Sequence, residues 1–421
     1  MISLKYIREN PLEIQKNLEF KRIKFDLPDL IDKDKKWREK ISKCEKLKSI
    51  RNSVSKDISK LKSNKLDAEN QIKEMKIISS KIKNLDKEID LLKDYIDEKI
   101  LYIPNLVHSS VPLGKTEDDN KIVKVVGKKP SHDFEPKDHL YLAEKLNLLD
   151  MKRGAKIAGS GFPLFVGNGS KLERALIAFM LDTHANSGYV ELFPPFLSTY
   201  QTTQVTGQLP KFADDMYFIS KDELYCIPTA EVPLTSFYKN EVLSESDFPQ
   251  KFAAYSACFR REAGSYGKDT KGLLRVHQFN KVELVKFVKP ENSYSELESL
   301  LKDAESILKM LDLHYRVVEL NSSDLSFSAS KCYDIEVWSP SEKKYLEVSS
   351  CSNFESFQAR RGNIKYKNKD NKLDYVHTLN GSGLATPRLM VALLETYQQN
   401  DGSIQVPLAL QDYLKLSKID A

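Results

Sequence analysis

A chain of 421 residues, 41% apolar and 30% charged, has room for two domains of the usual ~100–200 residues and buries enough core to exclude disorder. No apolar run reaches the ~18 residues that cross a bilayer, Met1 to Asn10 lacks a signal-peptide core, and five scattered cysteines support neither a disulfide framework nor a zinc site, so a cytoplasmic protein with no membrane partner is expected. The net charge of +5 conceals an asymmetry: residues 1–110 hold 26 Lys+Arg against 19 Asp+Glu, which leaves the remainder slightly acidic and points to a polyanion partner for the first quarter.

Between Pro28 and Pro104 there is neither glycine nor proline, so this stretch reads as extended helix. Its apolar positions recur at spacings of three and four: Trp37, Ile41, Cys44, Leu47, Val54, Ile58 and Leu61, then Met75, Ile78, Ile82, Leu85, Ile89, Leu92 and Ile96. Such a narrow seam is that of a coiled coil. Ser63-Asn64-Lys65 interrupts it with turn-prone residues. One continuous helix is the alternative to two helices of about 35 residues, each about 50 Å long, which the interruption allows to fold back as an antiparallel hairpin over about 28–103. A seam this narrow leaves lysine-rich faces in solvent; a dimerising coiled coil is the competing reading.

Residues 1–110 are thus assigned to a helical arm and 111–421 to a globular body. Pro104, Pro112, Gly114 and Glu117-Asp118-Asp119 form the linker between them. Ser170-Lys171-Leu172-Glu173 fits a capping box opening a helix that stops at Gly188. Strands are expected at Tyr189–Phe193, Phe252–Phe259, Val276–Val288, Cys332–Trp338 and Tyr345–Val348. Together these give an α+β body, an antiparallel sheet flanked by helices.

The stretch Ala257–Val288 carries the densest chemistry. Arg260 and Glu262 stand two apart on an extended segment and are expected on one face, with Arg261 opposite; Phe279 and Glu283 share a face by the same parity. Between them lies a loop with Gly264, Gly267, Gly272, Lys268, Lys271 and Arg275. An arginine fork suits phosphate and an aromatic ring suits a purine. A charged sheet face lying in water is the plain alternative. Neither a GxxxxGK[ST] loop nor GxGxxG, GxSxG or HExxH is present, so any nucleotide site uses another scaffold.

At this point the chain resembles the seryl-tRNA synthetase family of class II aminoacyl-tRNA synthetases. The resemblance rests on Ile103-Pro104-Asn105 with Ser110–Gly114 at the junction, and on Gly188-Tyr189-Val190-Glu191 through Pro195 as motif 1. Cys258–Glu262 is similar to motif 2, Leu379–Ala385 with Pro387-Arg388 to motif 3, and Thr229-Ala230-Glu231 to the serine-pocket signature. They occur in the family's order, behind a basic helical arm, and cover essentially the whole length.

The resemblance implies a two-step reaction: serine and ATP give seryl-adenylate, and serine is then passed to the 3′ end of its tRNA. It assigns Arg260 to the α-phosphate and the serine carboxylate, Arg388 to the γ-phosphate, Glu262 to the adenine amino group and Phe279 to stacking on the ring. Arg261, Val276, Val348 and Ser349 complete the expected ATP contacts. Glu347 and Ser350 are expected to hold Mg²⁺ with ATP. Thr229, Ala230 and Glu231 would take serine with Arg260, while Glu283 and Ser382 read its hydroxyl. The arm would meet the long variable arm of serine tRNA, with selenocysteine tRNA a second candidate, and the loop Gly264–Arg275 the acceptor end. Motif 1 implies a homodimer through the segment around Pro195. Thr386 departs from the small apolar residue expected there, without disturbing the register of Arg388. The seven histidines, His277 among them, are given packing rather than catalysis. Two alternatives stand beside this one: a class II ligase for another small amino acid, and an inactive coiled-coil adaptor.

Overall fold

The computed structural model describes residues 1–263 and 272–420, so Gly264, Gly267, Lys268 and Lys271 of the expected loop lie outside the described residues. The chain divides into two compact units, Ile2–Pro104 and the residues from Asn105 onward. Among the described residues, no helix is long and apolar enough to cross a membrane.

In the first unit two short helices, Leu4–Glu9 and Pro11–Phe20, precede two long ones, Leu27–Ser63 and Glu69–Lys99. Asp26 caps the first long helix by accepting from the Asp29 amide, with Pro28 in its first turn. The turn expected at Ser63-Asn64-Lys65 is present, and Lys65 takes the left-handed conformation (φ 52°). Tyr95 donates to Asp29 while Lys48 pairs with Asp86, so ascending residues on one helix meet descending residues on the other: the pair is antiparallel. Cys44, Val54, Ile58, Ile78, Ile82 and Leu85 fill the seam. Burial of each such side chain contributes roughly 1.5–3 kcal/mol, and that stripe is what holds the hairpin.

The second unit is built on an 8-stranded sheet. Its order is Lys121–Val126, Tyr315–Glu319, Lys331–Ser339, Lys344–Asn353, His377–Ala385, Gln278–Val288, Gln250–Phe259 and Val190–Glu191. Neighbours are antiparallel except the last pair, which is parallel. Alternation along the strands separates two faces. Val282, Leu284, Ile335 and Val337 pack against helices Gly167–Asn186, Ser293–Met310 and Thr386–Tyr397 through Leu176, Phe179, Leu300, Ile307 and Leu389. Glu283, Glu336 and Glu347 belong to the opposite face, which opens into cavities.

Three expectations are corrected. The helix after Gly167 begins before Ser170, with Val166 at its N-cap and no capping box; Glu173 turns inward to accept from Asn280 (2.8 Å) and from Thr386. Buried this way, its carboxyl is pushed up from the usual range. The strand expected over Tyr189–Phe193 is only Val190–Glu191, cut short ahead of Pro194 and Pro195. The linker is also less loose than its composition suggests, since Asn105 donates to the carbonyls of Ser328 (2.9 Å) and Phe354 (2.8 Å).

Candidate active site

A cavity of about 420 Å³ lies on the open face of the sheet. It gathers Thr229, Glu231, Arg260, Glu262, Val276, Phe279, Glu283, Glu347, Val348, Ser350, Ser382 and Arg388 along its walls. Arg260 follows directly on the strand Gln250–Phe259, and its guanidinium sits 5.1 Å from the Phe279 ring centroid. His277 stands 2.9 Å from the Arg260 carbonyl; because that oxygen only accepts, Nδ1 carries the proton. Glu262 is not on extended backbone as expected. Its φ of 50° is left-handed, which turns its carboxylate back toward Arg275 (3.1 Å).

One end of the cavity is a buried carboxylate pair. Glu283 is fully buried and accepts from Thr229 (2.6 Å) and Asn380, with the Lys281 ammonium against it. This matches the rule that a buried charge needs partners. Glu231 accepts from Gln358 (2.7 Å), which in turn accepts from Thr378 (2.7 Å). Burial, reinforced by the Glu283 charge, pushes the Glu231 carboxyl up to about 7. Glu283 has its cation in Lys281, whereas Glu231 is held by the neutral Gln358, so the pocket suits a ligand that brings its own ammonium group to Glu231.

The other end is built for phosphate. Arg388, in the first turn of the helix Thr386–Tyr397, donates to the Glu347 carbonyl (2.9 Å) and lies 3.4 Å from its carboxylate. In the pairing of Lys344–Asn353 with Lys331–Ser339, Ile335 faces Ser349 but Glu336 faces Glu347, leaving Val348 as a bulge. Simple alternation would place Glu347 and Ser350 on opposite faces; the bulge restores them to one. Asp334, across from Ser350, is held well above the carboxylate range by burial and by the Glu347 charge. A second, polar cavity of about 860 Å³ shares Leu274, Arg275, Glu347 and Arg388 with the first.

Ala230, Arg261 and Ser349 do not line the cavity. Ala230 is buried, Arg261 turns away to donate to the Asp214 carbonyl (3.2 Å), and the Ser349 hydroxyl donates to the Ser382 carbonyl (2.7 Å). Lys281, Asn380, Gln358 and Asp334 belong to the site but were not singled out from sequence. Lys281 shares strand parity with Phe279 and Glu283, and Asn380 with Ser382, so that signal was available. Gln358, on the separate helix Phe357–Gly362, had none.

The model of the seryl-tRNA synthetase N-terminal domain matches residues 1–107, and that of the tRNA synthetase class II core domain (G, H, P, S and T) matches residues 216–397. The serine–tRNA ligase of Chloroherpeton thalassium is 53% identical, covering 98% of this chain and 99% of the relative. That of Chlorobium phaeobacteroides is 51% identical and covers both chains completely. Among solved structures, seryl-tRNA synthetase from Pyrococcus horikoshii complexed with ATP superposes with a TM-score of 0.94 at 35% identity, covering 100% of this chain and 99% of the other. The cytoplasmic serine–tRNA ligase from Naegleria fowleri in complex with AMP gives 0.89 at 28% identity, with coverage of 100% and 99%.

Proposed function

The chain belongs to the seryl-tRNA synthetase family of class II aminoacyl-tRNA synthetases, and on that premise we propose how its own residues carry the reaction. The activity is that of a serine–tRNA ligase. One observation carries the assignment of roles: a single cavity is lined by the carboxylates Glu231 and Glu283 and by the arginines Arg260 and Arg388.

In the first step the serine carboxylate attacks the α-phosphorus of ATP, the bond to the β-phosphate oxygen breaks, and diphosphate leaves. The attacking carboxylate is already ionised, so no base is required; the work is positioning and neutralisation of charge. Thr229 and Glu231 hold the ammonium group of serine, while Glu283 and Ser382 accept and donate at its hydroxyl. With Glu283 already partnered by Thr229, Asn380 and Lys281, the serine hydroxyl joins an existing polar network beside Ser382, and alanine loses the contacts that the hydroxyl makes there. Arg260 bridges carboxylate and α-phosphate, Phe279 and Glu262 hold adenine, Val276 and Val348 flank it, and Arg388 takes the γ-phosphate. Ser349 serves from behind the wall, through the Ser382 carbonyl.

Glu347 and Ser350 are the residues that would hold Mg²⁺ with ATP. Their hard oxygens line one cavity, on one face of the sheet, with Asp334 across the ladder from Ser350. Such an ion supplies positive charge to the phosphates when bound.

The residues 1–110 act as the tRNA-binding arm and 111–421 as the catalytic domain. The arm's lysine-rich faces suit the phosphates of a long variable arm in serine tRNA, and selenocysteine tRNA is the second substrate to assay. A homodimer through the segment around Pro195 is supported by apolar surface there: Phe193 is 75% exposed and Val190 and Leu197 are exposed beside it. Five free cysteines, four of them buried, accord with a reducing cytoplasm.

ATP–diphosphate exchange with each of the twenty amino acids, without tRNA, tests the site. Exchange with serine alone supports the assignments. Exchange with alanine or glycine would overturn Glu283 and Ser382 as hydroxyl readers, and no exchange would return the chain to the adaptor reading.

A further inference from the structure

The strand that carries Ser382 is irregular where it matters. In its pairing with Gln278–Val288, Ser382 faces Glu283 but Leu384 faces Val282, so Gly383 is a bulge without a partner in the ladder. This bulge lets Ser382 look into the pocket while Leu384 enters the core. A bulged carbonyl in a buried position needs a donor from elsewhere.

His184 supplies it. It lies in the last turn of the helix Gly167–Asn186, fully buried, with Nε2 3.0 Å from the Gly383 carbonyl. That oxygen only accepts, so Nε2 carries the proton and Nδ1 is the bare nitrogen, which has no hydrogen-bond partner among the described residues. The fit is close: a Cβ added at Gly383 would meet Nε2 at 2.6 Å. The preceding carbonyl, that of Ser382, is held from another strand by the Ser349 hydroxyl at 2.7 Å. Two side chains from separate elements therefore pin consecutive carbonyls, that of Ser382, which faces Glu283, and that of the bulged Gly383 after it.

We propose that His184 is a positioning residue for serine selection, holding the Gly383 bulge through its Nε2–H so that Ser382 keeps its aim into the pocket. The proposal rests on the reading of Ser382 as a serine contact. It adds a residue that touches neither substrate nor cavity, on a helix the pocket residues do not come from.

The test is steady-state ATP–diphosphate exchange by the full-length enzyme, with serine and with alanine, for S382A, H184Q, H184M and G383A. H184Q keeps an amide donor within reach of the carbonyl, while H184M fills the space without one. The loss of a hydrogen bond at a buried carbonyl is on the order of tenfold in an equilibrium. H184M is accordingly expected to raise the KM for serine about tenfold and to lower the serine-over-alanine preference, leaving the KM for ATP within about twofold. H184Q recovers most of the loss, and G383A reproduces H184M by pushing the ring away. A merely structural histidine would depress serine and ATP parameters together, with H184Q no better than H184M, and that result overturns the proposal. If S382A raises the serine KM but H184M does not, the lock alone is wrong. If S382A leaves serine unaffected, the pocket reading fails and the lock with it.

Discussion

The hairpin Leu27–Lys99 and the strands around the cavity are governed by opposite rules. In the hairpin, function is expected from regularity: one seam repeats, most other positions face solvent, and a lysine's position follows from its number in the heptad. In the body, the functional side chains are aimed by departures from regularity. Bulges at Val348 and Gly383 re-phase their strands, and Glu262 leaves extended backbone altogether. A periodic element tolerates a change in length that keeps its phase, whereas a site built on broken phase tolerates little.

The largest effect should come from the body. Arg388→Ala removes the cation at the phosphate end and the hydrogen bond to the Glu347 carbonyl. Loss of a preorganised charge-stabilising group of this kind costs on the order of 10³-fold in rate. ATP–diphosphate exchange should fall by that factor while thermal unfolding stays near wild type; normal exchange would remove Arg388 from the mechanism.

In the arm, phase is what must be preserved. Deleting Arg51–Asp57 together with Lys73–Ser79 removes one heptad from each helix and brings Leu47 into step with Ile58, and Ile72 with Ile82. The hairpin should still form. Serine-dependent exchange should be unchanged, and the KM for tRNA should rise by about one to two orders of magnitude, with a shallower salt dependence because phosphate contacts are lost. Equal loss of exchange and charging would refute the division of labour between arm and body.

Legibility in the sequence follows the same line. The helical pair, its turn near Asn64 and the cores of the strands were readable because each obeys a fixed period. Glu283 was readable too, as a carboxylate between Val282 and Leu284 that had to face something other than the helices. What parity could not supply were Glu347 and Ser350 on one face, Glu262 turned back by its left-handed φ, and partners from distant elements such as Gln358 and His184. Glu173 shows the converse error: three residues after a serine it fits a cap, but its carboxylate is spent on Asn280 and Thr386 instead.

A smaller effect should appear in pH dependence. With its carboxyl pushed up to about 7 by burial and Glu283, Glu231 keeps its proton below that pH in the ligand-free enzyme. Because the folded value is raised, the ionised carboxyl destabilises the fold as pH climbs from the ordinary range through 7, and bound serine ammonium relieves the penalty. The KM for serine should therefore rise as pH falls below 7, by at most about tenfold per unit, and Glu231→Gln should flatten that slope. Serine should also protect against heat more strongly at pH 8 than at pH 6. A wild-type slope retained in Glu231→Gln would assign the titration elsewhere.

The smallest effect is expected at Lys40, in one of two ion pairs of the same chemistry that burial sets apart. Lys40 meets Glu88 across the hairpin, with about a third and a half of the two side chains exposed; Lys281 meets Glu283 at the end of the cavity, almost wholly buried. Water screens the first pair, and holding two long side chains together costs entropy, so Lys40→Met should change hairpin stability by less than about 0.5 kcal/mol in a denaturant melt. At Lys281 the same substitution leaves a buried carboxylate with Thr229 and Asn380 but no cation, a loss of about 3–5 kcal/mol. Equal costs at the two positions would mean that the Lys281 pair is solvated after all, and that the carboxylate pocket is wetter than its burial indicates.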